Sequence, residues 1–376
     1  MFSSTARNKR NGFGLDGISI NDFKANEKPY ISLLSKELRN GSYLLQQLNP
    51  HFIPKASGKD RVICVPTVRD RLLQRAVLSL LHSKGYGFEN SISYGFVRDK
   101  SVQKAATQAV ALRNDKQWVY KADISAFFDT VDRNLLLEKV RRKIRVTSLH
   151  NLIETFIRSE IHCRDQSIEK KIKRMGIQVG LGLRQGMPVS PYLANLYLHN
   201  FDMKIEKLNI PMVRYADDLV AFGTSKQECE EIHEICLEQL GKEGLAIHPL
   251  GTSSKTVIVG PTETVEFLGL GLEKSKDGYS LVVTKKQLEA ITNKILDTSS
   301  IDHCLRNGIT LTRLIRRLDD QTSGYYGAYD VCSNLEQLDH TLKAAKSKSL
   351  QRLFLEEFGI KYKNLTNKQK RFLQIE

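Results

Sequence analysis

Tyr215-Ala216-Asp217-Asp218 sets two adjacent carboxylates between apolar runs at 210–213 and 219–222, a strand, a turn and a second strand. Neighbouring carboxylates repel each other and cannot both be paired cheaply in a turn, so a divalent cation shared by their oxygens is the natural compensation. Such a site calls for a third carboxylate. Asp123 supplies it, at the end of a β-rich run over 118–124 that leads into a helix. Three carboxylates on two strand ends, holding two Mg²⁺ ions, suit in-line phosphoryl or nucleotidyl transfer, in which one ion activates the attacking hydroxyl and the other the leaving phosphate.

The elements that must position these groups are legible in outline. Short β-rich runs at 118–124, 212–215, 219–222, 256–259 and 266–270 predict an antiparallel sheet. Helices near 133–141, 190–208 and 226–243 are expected on one face of it. The last repeats Cys229, Ile232, Cys236, Leu237 and Leu240 at helical spacing, which makes it a packing helix. Ser57-Gly58-Lys59-Asp60 reads as the turn of a hairpin carrying Lys55 and Arg61. After the predicted hairpin turn Lys274-Ser275-Lys276-Asp277-Gly278 the chain becomes helical and basic, with helices expected near 285–296, 311–318 and 335–358. The second acidic pair, Asp319-Asp320, lacks flanking β runs and reads as a helix end on the surface.

Composition bounds the partners. Fifty-seven Lys and Arg against 42 Asp and Glu leave a net charge of +15 over 376 residues, an excess that favours a polyanion held through its phosphates. No apolar run approaches the roughly 20 residues that cross a bilayer, and the polar, basic first 12 residues do not read as a secretory signal. No membrane partner and a cytoplasmic location are therefore expected. The six cysteines form no Cys-x-x-Cys pair, and His233 between Cys229 and Cys236 lacks a fourth ligand nearby, so they read as small buried hydrophobes in a reducing compartment.

From about Gly14 to about Gly271 the chain resembles the bacterial reverse transcriptases of group II introns, retrons and phage-defence systems. The resemblance rests on ordered motifs: Leu15-Asp16-Gly17; Ile53-Pro54-Lys55 with Ser57-Gly58-Lys59-Asp60-Arg61; Asp70-Arg71-Leu72-Leu73-Gln74; Tyr94-Gly95-Phe96; and the Asp123 segment. It continues through Arg184-Gln185-Gly186-Met187-Pro188-Val189-Ser190-Pro191 with Leu193-Ala194-Asn195, then Arg214 to Asp218, Lys255-Thr256 and Phe267-Leu268-Gly269. It implies an α+β right-hand polymerase with fingers at 1–115, palm at 116–275 (part of 133–180 rejoining the fingers) and a helical thumb at 276–376. Gly324-Tyr325-Tyr326-Gly327 resembles a thumb element of the intron-type enzymes.

The resemblance also implies roles. Asp123, Asp217 and Asp218 would hold two Mg²⁺, with Mn²⁺ as a substitute and the Ile124 carbonyl as a further ligand. Lys55 and Arg61 would lay their cations on the triphosphate of an incoming deoxynucleotide, unless they only decorate a basic turn; Gln185 would contact the nucleotide near its sugar. Lys255 would neutralise or protonate the departing pyrophosphate, or else stand solvated at a strand start. Phe128, five positions after Asp123, lies where the resembling enzymes carry an aromatic ring that excludes a ribose 2′-hydroxyl; the alternative is that Phe127 and Phe128 are both core. Asn195 would hydrogen-bond within the palm.

The function expected is RNA-templated DNA synthesis, with an RNA template, a DNA primer or product and dNTPs as partners. An idle RNA-binding scaffold of the maturase kind and a template-independent or protein-primed polymerase are the alternatives; the 13 tyrosines single out no priming hydroxyl. No His-Asn-His-like nuclease cluster follows the palm, and Val283-Thr284-Lys285 stands where retron enzymes carry Val-Thr-Gly. A free-standing enzyme copying a dedicated, structured non-coding RNA in antiviral defence is therefore expected, with the Lys-rich thumb (Lys285, Lys286, Lys294, Lys343, Lys346, Lys348) holding that RNA.

Overall fold

The apolar runs on either side of Ala216-Asp217 are strands that fold back on each other through those two residues. The protein was analysed as a computed structural model, which describes residues 13–54, 60–87 and 90–374. Its strands are β1 (Asn49–Pro54), β2 (Asp60–Val65), β3 (Trp118–Asp123), β4 (Met212–Tyr215), β5 (Asp218–Gly223), β6 (Val257–Val259), β7 (Val265–Phe267), β8 (Leu270–Ser275) and β9 (Gly278–Val282). β4 and β5 pair antiparallel from Met212↔Ala221 to Tyr215↔Asp218, within a sheet ordered β4-β5-β3-β6. Consecutive side chains Leu219, Val220, Ala221 and Phe222 are fully buried. A strand covered on both faces reads as an unbroken apolar run rather than an alternating one.

By its internal contacts the chain divides into two units. The first takes the described residues up to Lys100, then Tyr120–Ala221 and Glu230–Val257. Its central helix, Ser190–Lys207, begins with Pro at its first turn and buries an unbroken series from Tyr192 to Leu198. An all-round apolar helix of this kind belongs inside a core rather than on its surface. Helix Arg133–Lys143 packs against it, and Lys139 Nζ donates to the Tyr197 carbonyl at 2.7 Å. The expected hairpin is present as β1 and β2, paired from Asn49↔Val65 to Pro54↔Asp60; its turn, with Lys55 and Lys59, lies outside the described residues.

The second unit comprises Ser101–Val119, Phe222–Cys229 and the chain from Ile258. The expected strand over 266–270 is instead two strands, because Leu268 (φ 54°) and Gly269 (φ 79°) make a left-handed two-residue turn between Phe267 and Leu270. β7 and β8 form a separate three-stranded sheet with β9, order β7-β8-β9, so these runs do not extend the first sheet. Arg113, fully buried on helix Val102–Asp115, ties this sheet down by donating to the carbonyls of Leu272 (2.7 Å), Glu263 (2.7 Å) and Gly260 (3.1 Å).

The basic C-terminal region is helical, with Lys285–Thr298, Leu311–Tyr329 and Leu335–Gln351 as its longest helices among the described residues. The middle helix runs eleven residues beyond its expected end at 318. Asp319-Asp320 therefore lies inside a helix, not at its end, and Asp319 accepts from Lys346 Nζ at 2.6 Å. Lys343 is likewise paired, with Asp339 at 2.7 Å. Among the described residues no helix is long and apolar enough to cross a membrane.

Candidate active site

The β4–β5 turn is built around a strained alanine. A two-residue hairpin in the favoured primed turns needs a positive φ at its first central position, and Ala216 takes φ 57°. A side chain in the left-handed region costs about 1–2 kcal/mol, so the surroundings must over-determine the conformation. Segment 92–95 does so: Arg214 N–H donates to the Ile92 carbonyl (2.9 Å) and Tyr94 N–H to the Arg214 carbonyl (2.8 Å). Gly95 then passes so close that a Cβ on it would lie 2.5 Å from the Ala216 nitrogen.

Asp123 reaches this turn from β3. Ile124 N–H donates to the Asp217 carbonyl at 3.1 Å, which pins the end of the Asp123 strand to the turn of the Asp217 hairpin. Beyond it, Ser125 N–H donates to the Ala246 carbonyl (2.8 Å), and Ala126, another non-glycine at positive φ (47°), precedes the short helix Phe127–Thr130. Two left-handed alanines thus lie near the carboxylates, Ala216 in the hairpin turn and Ala126 three positions after Asp123.

The charge of Asp123 acts on both aspartates of the turn. Burial and then the charges of Asp217 and Asp123 push the Asp218 carboxyl up to about 6, against the opposing pull of Lys121 and Lys255. Burial and the Asp123 charge also raise Asp217, whose own backbone hydrogen bond, Lys255 and Arg61 work the other way. Two cationic groups meet Asp123 Oδ1: Lys255 Nζ at 2.8 Å and, when protonated, His248 Nε2 at 3.2 Å.

Among the described residues no three His, Cys, Asp or Glu side chains converge closely enough, as placed, to hold a metal ion. The donor set nevertheless fits a hard divalent cation. It consists of carboxylate oxygens, with the Asp123 charge raising the proton affinity of both Asp217 and Asp218, and it already draws an ammonium onto Asp123.

The remaining expected residues fall as follows. Phe127 is buried, while Phe128 is half-buried beside it with ring centroids 5.3 Å apart. The Phe128 carbonyl accepts from Leu183 N–H at 2.6 Å, and Gly182 (φ 78°) leaves no room for a Cβ, which would lie 2.7 Å from the Phe128 and Asp129 oxygens. The Gln185 carbonyl accepts from Cys64 N–H (2.7 Å), and Gly186 makes a close backbone approach onto Cys64 of β2. Arg61 stands exposed at the start of β2. Asn195 does bond within its own unit, donating to the Gly95 carbonyl at 2.8 Å. Lys255 touches a proposed metal-binding carboxylate directly. Lys55 lies outside the described residues.

His248 was not anticipated, and a single histidine between Ile247 and Pro249 carries no periodic signal. Arg214 did carry one: an arginine inside the apolar strand Met212-Val213-Arg214 must be buried with a partner. The packing helix Lys226–Gly241 buries Cys229, Ile232, Cys236 and Leu240 as expected, but Leu237 is exposed. His233 shares a hydrogen bond with the Tyr120 hydroxyl at 3.0 Å, and Cys163 is exposed where the other five cysteines are buried.

Residues 53–272 match the family described as reverse transcriptase (RNA-dependent DNA polymerase). Protein YkfC of Escherichia coli strain K12 is 31% identical over 205 residues, covering 52% of this chain and 50% of that protein. The group II intron-encoded protein LtrA of Lactococcus lactis subsp. cremoris is 26% identical over 204 residues, 54% of this chain and 32% of LtrA. The retron Ec83 reverse transcriptase of Escherichia coli is 25% identical over 182 residues, 47% of this chain and 52% of its own length. The chain thus spans about half, or less, of the length of these relatives.

Proposed function

Since this chain belongs to the reverse transcriptase family, whose pattern covers 53–272, we propose that it is an RNA-directed DNA polymerase. The observation that carries the reading is the bond from Ile124 N–H to the Asp217 carbonyl, which brings the Asp123 strand end to the Asp217-Asp218 turn. Fingers at 1–115, palm at 116–275 with part of 133–180 returned to the fingers, and thumb at 276–376 complete the proposed hand.

Asp123, Asp217 and Asp218 would hold two Mg²⁺, which when bound neutralise charge on the attacking hydroxyl and the departing phosphate. The chain's own residues do the rest. Lys55 and Arg61 bind the triphosphate, the guanidinium taking two oxygens at once. Phe128, backed by Phe127 and locked through its carbonyl by Leu183, fills the space of a ribose 2′-hydroxyl, and Gln185 orients the sugar. Lys255 keeps Asp123 neutralised while the site is empty; its flexible stem lets the ammonium transfer to the leaving pyrophosphate.

The template we favour is a dedicated structured RNA, copied in antiphage defence in the cytoplasm. Val283-Thr284-Lys285, where retron enzymes carry Val-Thr-Gly, supports a system other than a retron. Primer extension on an RNA template with Mg²⁺ and dNTPs tests the activity; no extension by the purified chain overturns it. Sequencing the nucleic acids that co-purify tests the template: one recurrent RNA with matching DNA is expected, and random cellular RNA counts against it.

A further inference from the structure

Arg214 is fully buried, and so is its partner Asp202, yet neither belongs to the set of groups that would touch nucleotide or metal. A buried pair of this kind is a poor source of stability, because desolvation offsets most of the attraction. Its presence in a strand otherwise made of apolar side chains asks for another use.

The hydrogen bonds supply one. Guanidinium carries five N–H donors, and all five are engaged. Nε donates to Asp202 Oδ1 (2.7 Å) and Nη2 to Asp202 Oδ2 (2.5 Å) and Ser93 Oγ (2.9 Å). Nη1 donates to Asn195 Oδ1 (3.2 Å) and to the carbonyl of Ala216 (3.0 Å). That last acceptor is the strained residue of the turn. Asn195, bound to Arg214 by its oxygen, uses its amide nitrogen on the Gly95 carbonyl, and Gly95 is the residue pressed against the Ala216 nitrogen. Both sides of the Ala216 peptide unit are therefore held from one buried network. Lys100 closes it outside, donating to the carbonyls of Asn90 and Ser93 at 2.7 Å each.

We infer that Arg214 is a positioning residue: with Asp202, Asn195 and Gly95 it clamps Ala216 in its left-handed conformation and so aims the carboxylates of Asp217 and Asp218 at that of Asp123. The charge of Arg214 is balanced by Asp202, and the hydrogen-bond geometry of the fork is what the site uses. A lysine could keep the charge balance but cannot reach five acceptors in a plane. This rests on the reading of Asp217 and Asp218 as metal-binding groups.

Mn²⁺ binding to the full chain, counted by electron paramagnetic resonance of the unbound ion, reads the aim of the carboxylates without any turnover. Arg214→Lys is expected to weaken it roughly ten- to a hundredfold, the worth of one lost charge-assisted hydrogen bond. Adding Ala216→Gly should restore most of that loss, because glycine takes the left-handed region without a clamp. Gly95→Ala, which leaves every side chain of the network in place, should weaken Mn²⁺ binding as well by pushing on Ala216. RNA affinity at fixed salt should stay unchanged in all three. An Arg214→Lys protein that folds and binds Mn²⁺ like the wild type overturns the inference, as does a loss that Ala216→Gly leaves untouched. If Arg214→Lys does not fold, Gly95→Ala decides alone, and wild-type affinity in it overturns the clamp. Asp217→Asn separates the two levels: full Mn²⁺ binding in that variant removes the metal reading itself, whereas loss there with retention in Arg214→Lys removes only the positioning role.

Discussion

Two pairs of adjacent aspartates occupy this chain in opposite settings. Asp217-Asp218 stands half-buried in a strand turn, with Asp123 close enough to raise the proton affinity of both and the nearest cations on Asp123 rather than on the pair. Asp319-Asp320 lies exposed within helix Leu311–Tyr329, where successive residues diverge around the axis and Asp319 finds Lys346 one helix away. The dipeptide is the same, and the backbone decides whether its charges gather or disperse. Gathered charge is unfavourable unless a cation is recruited; dispersed charge is neutralised locally and recruits nothing.

The strongest way to break this contrast is to neutralise each pair in turn. Asp217→Asn is predicted to lower RNA-templated primer extension by several orders of magnitude, since it would remove a proposed ligand of the metal ions that offset the transition-state charge. Asp319→Asn and Asp320→Asn should leave the rate within about twofold. Comparable losses from both pairs would dissolve the distinction.

A smaller effect is expected beside the gathered pair. Phe128→Ala should raise incorporation of ribonucleotides relative to deoxynucleotides by roughly ten- to a hundredfold, the usual scale for opening a steric pocket. An unchanged ratio would make Phe128 a packing partner of Phe127 and nothing more.

The dispersed pair bears on the proposed RNA contact. Lys343 and Lys346 already serve Asp339 and Asp319, whereas Lys348 is exposed. Lys348→Gln is therefore expected to make the salt dependence of RNA affinity shallower by up to roughly one unit of slope, and Lys343→Gln or Lys346→Gln by less. Equal changes at all three would mean that the ion pairs open on binding. Least of all, Lys346→Ala should cost about 0–1 kcal/mol of stability in denaturant unfolding; a larger loss would show the Asp319–Lys346 pair to be structural.

Much of this was legible beforehand. The strands β3, β4 and β5 and the helix Ser190–Lys207 sit where the sequence pattern puts them, to within one or two residues at each end. The helix through 311–329 was legible only to 318; beyond it the intrinsic cost of about 1 kcal/mol for each of Gly324 and Gly327 is overridden by burial of Leu314, Leu318 and Tyr329. The separate sheet β7-β8-β9 escaped for a different reason: Phe267-Leu268-Gly269 carried a motif but not the information that Leu268 and Gly269 would both turn left-handed.

What the sequence alone determined is the chemistry. Residue type and order place three carboxylates, a basic hairpin and a Gln-Gly-x-Pro helix entry in one succession, and those properties travel with the residues wherever they lie. Which groups meet was decided by tertiary structure. Lys255 reaches Asp123 across 132 positions and Arg214 reaches Ser93 across 121. No local rule ranks such pairs. Electrostatic and hydrogen-bonding energies depend on separations of a few ångströms, and only the folded chain sets those.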